Sequence, residues 1–387
     1  MNAGNNYGFQ QLVNLCTQTH QEMQMRAGRS VNIHLVVRNW LFGCYVVEYE
    51  QNGCDRAEYG AYLIERLSDE LGKQLGRGFS ARSLEQCRKF YLAHKQIPQT
   101  MSAESGPDSE TFLPKGYLPI SQAVSAVSGG MGIKANGWQD IVASLLKRFS
   151  LSWSHYVTLL TIENPDERRF YEIEAAQNHW SVRELERQIS SSLYERLALS
   201  RNRDEIRRLA EQGLVVEKAA DLIKNPFVLE FLDLEEKPCW SENDLESAII
   251  DRLETFLLEL GKGFLFEGRQ KRFTFDNDHF YIDLVFYNRF LRCYVLIDLK
   301  RDKLTHQDLG QMQMYVNYFD RCVKTADELP TIGIILCRRK NDALVELTLP
   351  KNANIFAPKY QLYLPSKEEL KTQLEKIEKE LESGRYE

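Results

Sequence analysis

The chain has 387 residues, of which 43% are hydrophobic and 27% charged, a balance typical of folded globular proteins that excludes a disordered or fibrous chain. Its length predicts two or three domains, and no run approaches the roughly 20 apolar residues of a membrane helix. The net charge of −6 argues against a general nucleic-acid coat protein, although an enzyme needs only a local basic surface. There is no secretory signal and no C-x-x-C spacing among the eight cysteines, so we expect a cytoplasmic protein.

The N-terminal half is dominated by helical patterns. Residues 58–75 carry apolar side chains at spacings of three and four, and a glycine-containing turn over residues 76–80 precedes a second helix over residues 81–93. Two helices joined in this way predict a helix-turn-helix-like arrangement. Its second helix would present three cationic side chains to DNA: Arg82, Arg88 and Lys89. The alternative is an ordinary helical hairpin with solvated charges.

Two apolar runs in the C-terminal half, residues 281–287 and 292–300, predict a β-hairpin that carries acidic residues. With a turn near residues 290–291, Asp283 lies opposite Asp298, with Cβ atoms about 5 Å apart. Side chains alternate between faces along a strand, so Lys300 shares the face of Asp298. The opposite face is then apolar and made of Leu284, Phe286, Val295, Ile297 and Leu299.

Two carboxylates this close repel each other, and a protein that brings them together usually neutralises them with a cation. Mg²⁺ suits such a pair because it prefers oxygen ligands and keeps several waters. It would polarise a phosphoryl oxygen and lower the pKa of a bound water, while Lys300 would orient that water or stabilise charge on the phosphate. The alternative is a structural Asp–Lys pair on a solvated strand face, since D-x-K alone is a weak motif.

The segment after the hairpin carries a further motif. Residues 304–319 have helical apolar spacing, which places Gln311 and Tyr315 on one helical face. An Asp on one strand, D-x-K on the next and Q-x-x-x-Y on a following helix resemble the PD-(D/E)XK restriction-endonuclease-like superfamily. The longer stretches ELGKGFLFEGRQ and YIDLVFYNRFLRCYVLIDLK resemble the C-terminal nuclease domain of the YhcG family, and LSWSHYVTLL and WSVRELERQI resemble its N-terminal domain. That family usually has Glu where this chain has Asp298, which bears on metal position and rate.

The resemblance implies a bacterial-type nuclease that hydrolyses DNA with Mg²⁺, or with Mn²⁺ in its place, and leaves a 5′-phosphate and a 3′-hydroxyl. It implies the Leu299 carbonyl as a third metal ligand, and Gln311 and Tyr315 as contacts to the phosphate or to the lysine side of the site. The opening helix of such a domain often supplies another carboxylate. Glu254 and Glu259 are the candidates, and Glu254 is preferred because Glu259 lies nearer the predicted helix end.

The predicted fold class is multi-domain α+β, with a mainly helical N-terminal domain followed by an α/β restriction-endonuclease-like domain around a central mixed sheet. The predicted boundaries are 1–200 for the helical domain with a flexible insertion at 100–136, 201–240 for a helical linker, 241–365 for the nuclease domain and 366–387 for a charged helix. DNA is the expected partner, and the sequence is compatible with either a monomer or a homo-oligomer. Neither a membrane nor a nucleotide triphosphate is expected as a partner. The alternative function is a catalytically inactive nucleic-acid-binding or scaffolding module on the same fold.

Overall fold

A computed structural model describes residues 8–26, 31–52, 62–94 and 136–372, except 200, 202, 233, 235–240, 276, 340–341, 351–352 and 371. The predicted insertion and most of the predicted C-terminal helix therefore lie outside the described residues. The helices are α1 (Phe9–Arg26), α2 (Val31–Asn52), α3 (Leu63–Leu75), α4 (Ala81–His94), α5 (Asn136–Arg148), α6 (Trp153–Leu159), α7 (Pro165–Gln177), α8 (Val182–Ser190), α9 (Leu193–Ala198), α10 (Arg203–Gln212), α11 (Glu242–Asp251), α12 (Leu253–Leu260), α13 (His306–Tyr318) and α14 (Asp342–Thr348). The strands are β1 (Phe227–Val228), β2 (Phe264–Phe275), β3 (Asp278–Asn288), β4 (Cys293–Lys303), β5 (Ile332–Arg339), β6 (Ile355–Phe356) and β7 (Tyr360–Gln361). Within this part of the chain, no helix is both long and apolar enough to cross a bilayer.

The chain divides into two compact units, and the first comprises residues 1–168 and 179–182. Its core is built on α2, which is apolar on nearly every side, so that Phe42, Tyr45 and Val46 are at most 4% exposed. Helices α1 and α4 pack on it. The predicted order of helix, glycine-containing turn and helix is present as α3, residues 76–80 and α4, and Ser80 Oγ accepts a hydrogen bond of 3.3 Å from the Ser83 amide. Helix α4 buries one side through Leu84, Cys87 and Phe90.

The contact between α2 and α4 depends on a glycine. A Cβ atom on Gly43 would lie 2.0 Å from the Cys87 carbonyl oxygen and 2.8 Å from Tyr91 Cβ, so only glycine allows the two helices to approach this closely. We expect Gly43→Ala to lower the free energy of unfolding of this unit by about 2 kcal/mol, because the two backbones must separate. Gly72→Ala on α3 is the matched control, since a Cβ there meets nothing within 4 Å. It should instead stabilise its helix by about 0.5–1 kcal/mol in a urea titration of both variants.

The second unit comprises residues 169–178 and 183–387 and is built on a five-stranded sheet in the order β2-β3-β4-β5-β6. Strands β2, β3 and β4 are antiparallel neighbours, whereas β5 and β6 continue the sheet in parallel, so the predicted mixed sheet is present. One face packs against α11 and α12 in a core that includes Ile249, Phe256 and Ile297. The other face packs against α13 through Met312 and Val316. Helices therefore cover the sheet on both faces.

Residues 201–240 differ from the predicted helical linker. Phe227 and Leu229 are fully buried in the core of the second unit, and Phe227 pairs with Tyr360 in a small parallel sheet of β1 and β7. The described part of this segment therefore supplies a two-residue strand and core side chains to the second unit. The sequence did not reveal this packing, since a two-residue strand carries no periodic signal.

Candidate active site

The two acidic strands pair in the predicted register. Leu284 lies opposite Ile297 and Tyr287 opposite Tyr294, so Asp283 and Asp298 are the next residues along. The predicted apolar face is confirmed, because its five residues are fully buried in one core cluster: Leu284, Phe286, Val295, Ile297 and Leu299. The hairpin therefore directs two carboxylates to the side of the sheet opposite that core.

The backbone ladder between β3 and β4 ends at Leu284 and Ile297, and the side chain of Asp283 takes over from it. The Leu299 amide donates a 2.8 Å hydrogen bond to Asp283 Oδ2 in place of a strand carbonyl. Gln270 Nε2 donates to Asp283 Oδ1 at 3.2 Å from the neighbouring strand β2. Both carboxylate oxygens are thus held, and the half-buried Asp283 is fixed at the point where the strands separate.

Asp298 is the more buried of the two acids, with 3% of its surface exposed. Burial, and then the charge of Asp283, raise the pKa of Asp298 to about 7. Its Oδ2 lies 2.9 Å from Lys300 Nζ, although the alignment of that contact falls short of a hydrogen bond. The buried Asp298 carboxylate is therefore attracted by Lys300 and repelled by Asp283.

Lys300 lies among acidic groups. Its Nζ is 2.9 Å from Asp298 Oδ2, 3.7 Å from Glu242 Oε2 and 4.0 Å from Asp308 Oδ1. Burial alone would lower the pKa of the Lys300 ammonium, but the Asp298 carboxylate outweighs burial and raises that pKa above its usual value. Lys300 therefore carries a full positive charge at neutral pH, beside the acid pair.

Helix α13 places Gln311 and Tyr315 on one face, as their spacing predicts. Thr305 begins the helix with a capping box in which its Oγ1 accepts from the Asp308 amide at 3.3 Å. Gln311 Nε2 donates to the Tyr315 hydroxyl, which donates in turn to the Tyr281 carbonyl at 2.8 Å. Because Tyr315 is fully buried, a direct phosphate contact from its side chain is not available, which corrects that expectation. Tyr315 instead supports β3 two residues before Asp283, and Gln311 is partly exposed.

A helix carboxylate does lie beside the acid pair, but it is one that the sequence did not single out. Glu246 on α11 is 6% exposed and accepts a hydrogen bond from Gln270 Nε2, the same group that holds Asp283. Burial raises the pKa of Glu246, the Gln270 hydrogen bond opposes this shift, and the charge of Asp283 adds to it. Glu246 is four residues after Glu242, which contacts Lys300, so one face of α11 borders the site twice.

Neither predicted helix carboxylate is brought to the pair. Glu254 lies exposed on α12, and no hydrogen bond or ion pair within the described residues joins it to Asp283 or Asp298. Glu259 is fully buried and instead forms an ion pair with Arg196, with 2.5 Å between Oε1 and Nη1. Glu259 therefore stabilises the fold and does not take part in the acid pair. Both residues belong to the helix after α11, which the sequence did not separate from it.

Gln270 has an unusual backbone for a residue inside a strand. Its φ is 47°, and it stands between Arg269 and Lys271, which pair with Leu284 and Ile282, so it faces Asp283 across the sheet. A non-glycine residue in the left-handed region costs about 1 kcal/mol and persists where surrounding contacts hold it. These contacts are the hydrogen bonds that the side-chain amide of Gln270 donates to Glu246 and Asp283.

This strain gives a measurable difference between two substitutions. Gln270→Ala removes the side-chain amide and keeps the energetic cost of the positive φ, whereas Gln270→Gly removes both the amide and that cost. We expect the glycine variant to be more stable than the alanine variant by about 1 kcal/mol in urea unfolding. Equal stabilities would show that the backbone relaxes at this position once the amide is lost.

The cations proposed from the N-terminal helices are not equivalent. Arg88 Nε lies 3.0 Å from both carboxylate oxygens of Glu50, and its Nη1 lies 3.6 Å from Glu85, so its charge is balanced within the unit. Arg82 is exposed beside a cavity of about 320 Å³ that is also lined by Glu50, Glu65 and Glu85. Lys89 is exposed on the same helix. Arg88 is therefore the least suited of the three to a phosphate.

The donor set of the acid pair fits a hard divalent cation. Every donor is an oxygen, one buried carboxylate oxygen accepts no aligned hydrogen bond from a described residue, and mutual repulsion between the acids would be relieved by a positive ion. Among the described residues, no three carboxylate, thiol or imidazole groups converge closely enough to hold a metal by themselves. A divalent cation that prefers oxygen ligands and keeps several waters therefore suits this pair.

Comparison with known proteins identifies two domains in the chain. The model of the YhcG PDDEXK nuclease domain matches residues 220–375, and that of the DUF1016 N-terminal domain matches residues 16–108 and 134–196. The nuclease match begins inside the predicted linker, as the packing of β1 also indicates. The protein named “Putative nuclease YhcG” of Escherichia coli (strain K12) is 39% identical over 390 residues, spanning 99% of this chain and 98% of that protein.

Two solved structures overlap a smaller part of the chain. One is an EndoMS–dsDNA2 complex, with a TM-score of 0.24 and 15% identity over 35% of this chain and 50% of that chain. The other is a repair endonuclease from Pyrococcus abyssi, with a TM-score of 0.23 and 16% identity over 34% of this chain and 50% of that chain. Overlaps of this size carry no weight for function. The matches along nearly the whole sequence do, and they show that the chain belongs to the YhcG family, whose C-terminal domain is a PD-(D/E)XK nuclease domain.

Proposed function

We propose that this chain is a Mg²⁺-dependent endonuclease that hydrolyses phosphodiester bonds of DNA, with Mn²⁺ able to replace Mg²⁺. The observation that supports it is the pair of Asp283 and Asp298, one of them 3% exposed, with Lys300 Nζ 2.9 Å from the buried acid. Bringing two acids together at a buried position is costly unless a cation balances them. Such an arrangement is typical of a site whose geometry serves chemistry rather than stability.

Each side chain has a distinct role in the proposed reaction. Asp283 and Asp298 would hold the ion, with the Leu299 carbonyl as a third ligand, and Gln270 and the Leu299 amide keep Asp283 in place. Such an ion would, when bound, polarise a phosphoryl oxygen and lower the pKa of a water. The Lys300 ammonium, charged at neutral pH, orients the attacking water and stabilises the charge that develops on the phosphate. The products are a 5′-phosphate and a 3′-hydroxyl.

Two further residues complete the proposed site. Gln311 is partly exposed at the end of the hydrogen-bonded chain through Tyr315, and we assign it the contact to the phosphate. Glu246 is the helix carboxylate best placed to join the site, since it shares the Gln270 amide with Asp283. We assign it the role of a further hydrogen-bond acceptor on the α11 side of the site.

The proposal is tested by incubating the purified chain with duplex, branched and single-stranded DNA and with RNA, in Mg²⁺ and in Mn²⁺. We expect Lys300→Ala to lower cleavage by about 10²–10³, the usual effect of losing one charge-stabilising group in a reaction site. Lys218→Ala is the control, because this lysine is exposed and paired with Glu205 at 2.6 Å. Cleavage that is unchanged in the Lys300 variant would refute the mechanism.

The N-terminal unit is proposed to bind or target the DNA. Arg82 and Lys89 are exposed on α4, while Arg88 is balanced by Glu50 and Glu85. We therefore expect the alanine variants of Arg82 and Lys89 to weaken DNA binding at low salt, and that of Arg88 to have the smaller effect. A larger loss in Arg88→Ala would mean that its ion pair opens to bind phosphate.

A second candidate function is a nucleic-acid-binding module whose nuclease site is inactive. The shorter Asp298 where the family usually has Glu, together with the net charge of −6, favours it. Binding of DNA without cleavage in either Mg²⁺ or Mn²⁺ would support this candidate. The chain retains both acids and the lysine, and Lys300 Nζ lies within 3 Å of Asp298. This favours the active enzyme.

A further inference from the structure

A second polar site lies at the carboxyl end of β5, outside the acid pair. A cavity of about 190 Å³ opens there, lined chiefly by Arg338, Arg339, Lys359, Tyr360, Gln361 and Tyr363. The two arginines and the lysine are exposed, and so is Tyr363, at 54%. Three cationic side chains around one cavity suit a phosphate or another anion.

Two residues that line this cavity each carry a buried polar atom without a hydrogen-bond partner among the described residues. Tyr360 is 2% exposed, yet its hydroxyl has no hydrogen bond to any described residue. The Gln361 side-chain oxygen is also buried without a donor in the described part of the chain. Buried polar atoms are nearly always satisfied, and exceptions point to a ligand or an ordered water. The hydroxyl can donate to a phosphate oxygen, and the amide oxygen can accept from an N–H of a base.

The strand register places this cavity next to the proposed reaction site. Lys300 of β4 pairs with Cys337 of β5, and Cys337 is bridged in turn to Lys359, so the three residues form one row across the sheet. Two strand spacings separate the backbones of Lys300 and Lys359 by about 10 Å. Arg339 lies opposite Lys303, farther toward the same end of the strands. At the rise of about 3.4 Å per nucleotide of stacked DNA, this distance corresponds to about three nucleotides, and an extended unpaired strand covers it with fewer.

We propose that this cavity binds an unpaired nucleotide of the substrate strand, two or three positions from the phosphodiester bond that is cut. The cationic side chains and the Tyr360 hydroxyl bind its phosphate, Tyr363 stacks on its base, and the Gln361 oxygen accepts from that base. Only an unpaired base offers its face and its pairing edge together. The inference rests on the proposed function, and it adds that the cut strand is single-stranded beside the scissile bond.

Binding to the full chain without metal tests this directly. Fluorescence anisotropy in EDTA would use an oligothymidine of about 20 nucleotides and the matched duplex, over a range of salt concentrations. For the single strand, we expect Arg339→Ala to reduce the salt slope by about 0.7, and Tyr363→Ala to weaken binding about 5- to 100-fold. Duplex binding should change little. Arg207→Ala is the matched control, because that arginine is 82% exposed on α10 beside Glu211.

A single-atom change separates a binding role from a structural one. Tyr360→Phe removes only the hydroxyl, which has no partner within the described residues, so the melting temperature should not fall, while single-strand binding weakens several-fold. A lower melting temperature with unchanged binding would overturn the inference, as would equal losses on single strand and duplex. The proposed function fails separately: wild type that binds single strands but never cleaves would refute the nuclease and keep this site. Cleavage with unchanged binding in Arg339→Ala and Tyr363→Ala would refute the site and keep the nuclease.

Discussion

An Asp298→Asn variant should cleave DNA about 10³-fold more slowly than the wild-type chain. The substitution keeps the size of the side chain and removes its charge, so it removes half of the pair that would hold the metal. A loss of about 4 kcal/mol in transition-state stabilisation corresponds to this factor, and it is of the size a bound metal supplies. Asp302→Asn is the matched control, since it makes the same change on the same strand where the side chain is 79% exposed.

The length of the side chain at this position can be tested separately. Asp298→Glu restores the residue type that the family usually has, and we expect it to retain cleavage to within about tenfold, because both side chains offer a carboxylate to the same strand face. Initial rates in Mg²⁺ and Mn²⁺ would be measured beside Mn²⁺ affinity from calorimetry. If Asp298→Asn cleaved DNA and bound Mn²⁺ as well as the wild-type chain does, the metal would lie elsewhere.

The register of the acidic hairpin followed from sequence alone for a local reason. Alternation along a strand has a period of two, and residues in both apolar runs supply the buried face, so a slip by one would bury Asp283 in the apolar core. The same reasoning placed Lys300 beside Asp298, where the structure has it at 2.9 Å. The register of a short hairpin is determined by residues that are close to one another in the sequence, so it can be predicted without knowledge of the rest of the fold.

Glu246 and Gln270 were not identified because their meeting is not local. They are 24 residues apart, and they meet because β2 presents a left-handed residue opposite Asp283 and α11 packs alongside. The sequence pattern of a strand does not predict that a glutamine in its interior will adopt a positive φ. The one available signal was that Glu246 stands between Leu245 and Ile249, both buried, and so borders the apolar stripe of its helix.

The burial of Tyr315 shows the limit of a helical motif. Spacing by four residues placed Gln311 and Tyr315 on one face, but it did not decide whether that face points to solvent or to a strand. The structure turns the tyrosine toward the Tyr281 carbonyl. Likewise, an arginine pattern on α4 did not reveal that Glu50, 38 residues away, holds Arg88.

Glu259→Gln is expected to lower the free energy of unfolding of the second unit by about 3–5 kcal/mol, because it leaves a buried arginine without a counter-charge. Arg196 and Glu259 are both fully buried, and Glu259 Oε1 also accepts from the Val228 amide at 3.0 Å. Glu217→Gln is the control, since that acid is 63% exposed and lies 3.4 Å from Arg208. An exposed pair of this kind contributes at most about 1 kcal/mol.

The same pair makes the stability of the second unit depend on pH in the acid range. Burial alone would raise the pKa of Glu259, but the charges of Arg196, Lys224 and Arg187 outweigh it and lower that pKa from 4.5 to about 2. A carboxyl with a depressed folded-state pKa stabilises the fold fully above its unfolded pKa and loses that contribution as the pH falls through the folded value. The stability difference between wild type and Glu259→Gln should therefore be constant above about pH 5 and shrink between pH 4.5 and 2. Urea titrations across this range that show a gap independent of pH, or no larger than that of Glu217→Gln, would mean that the buried charge is balanced by other groups.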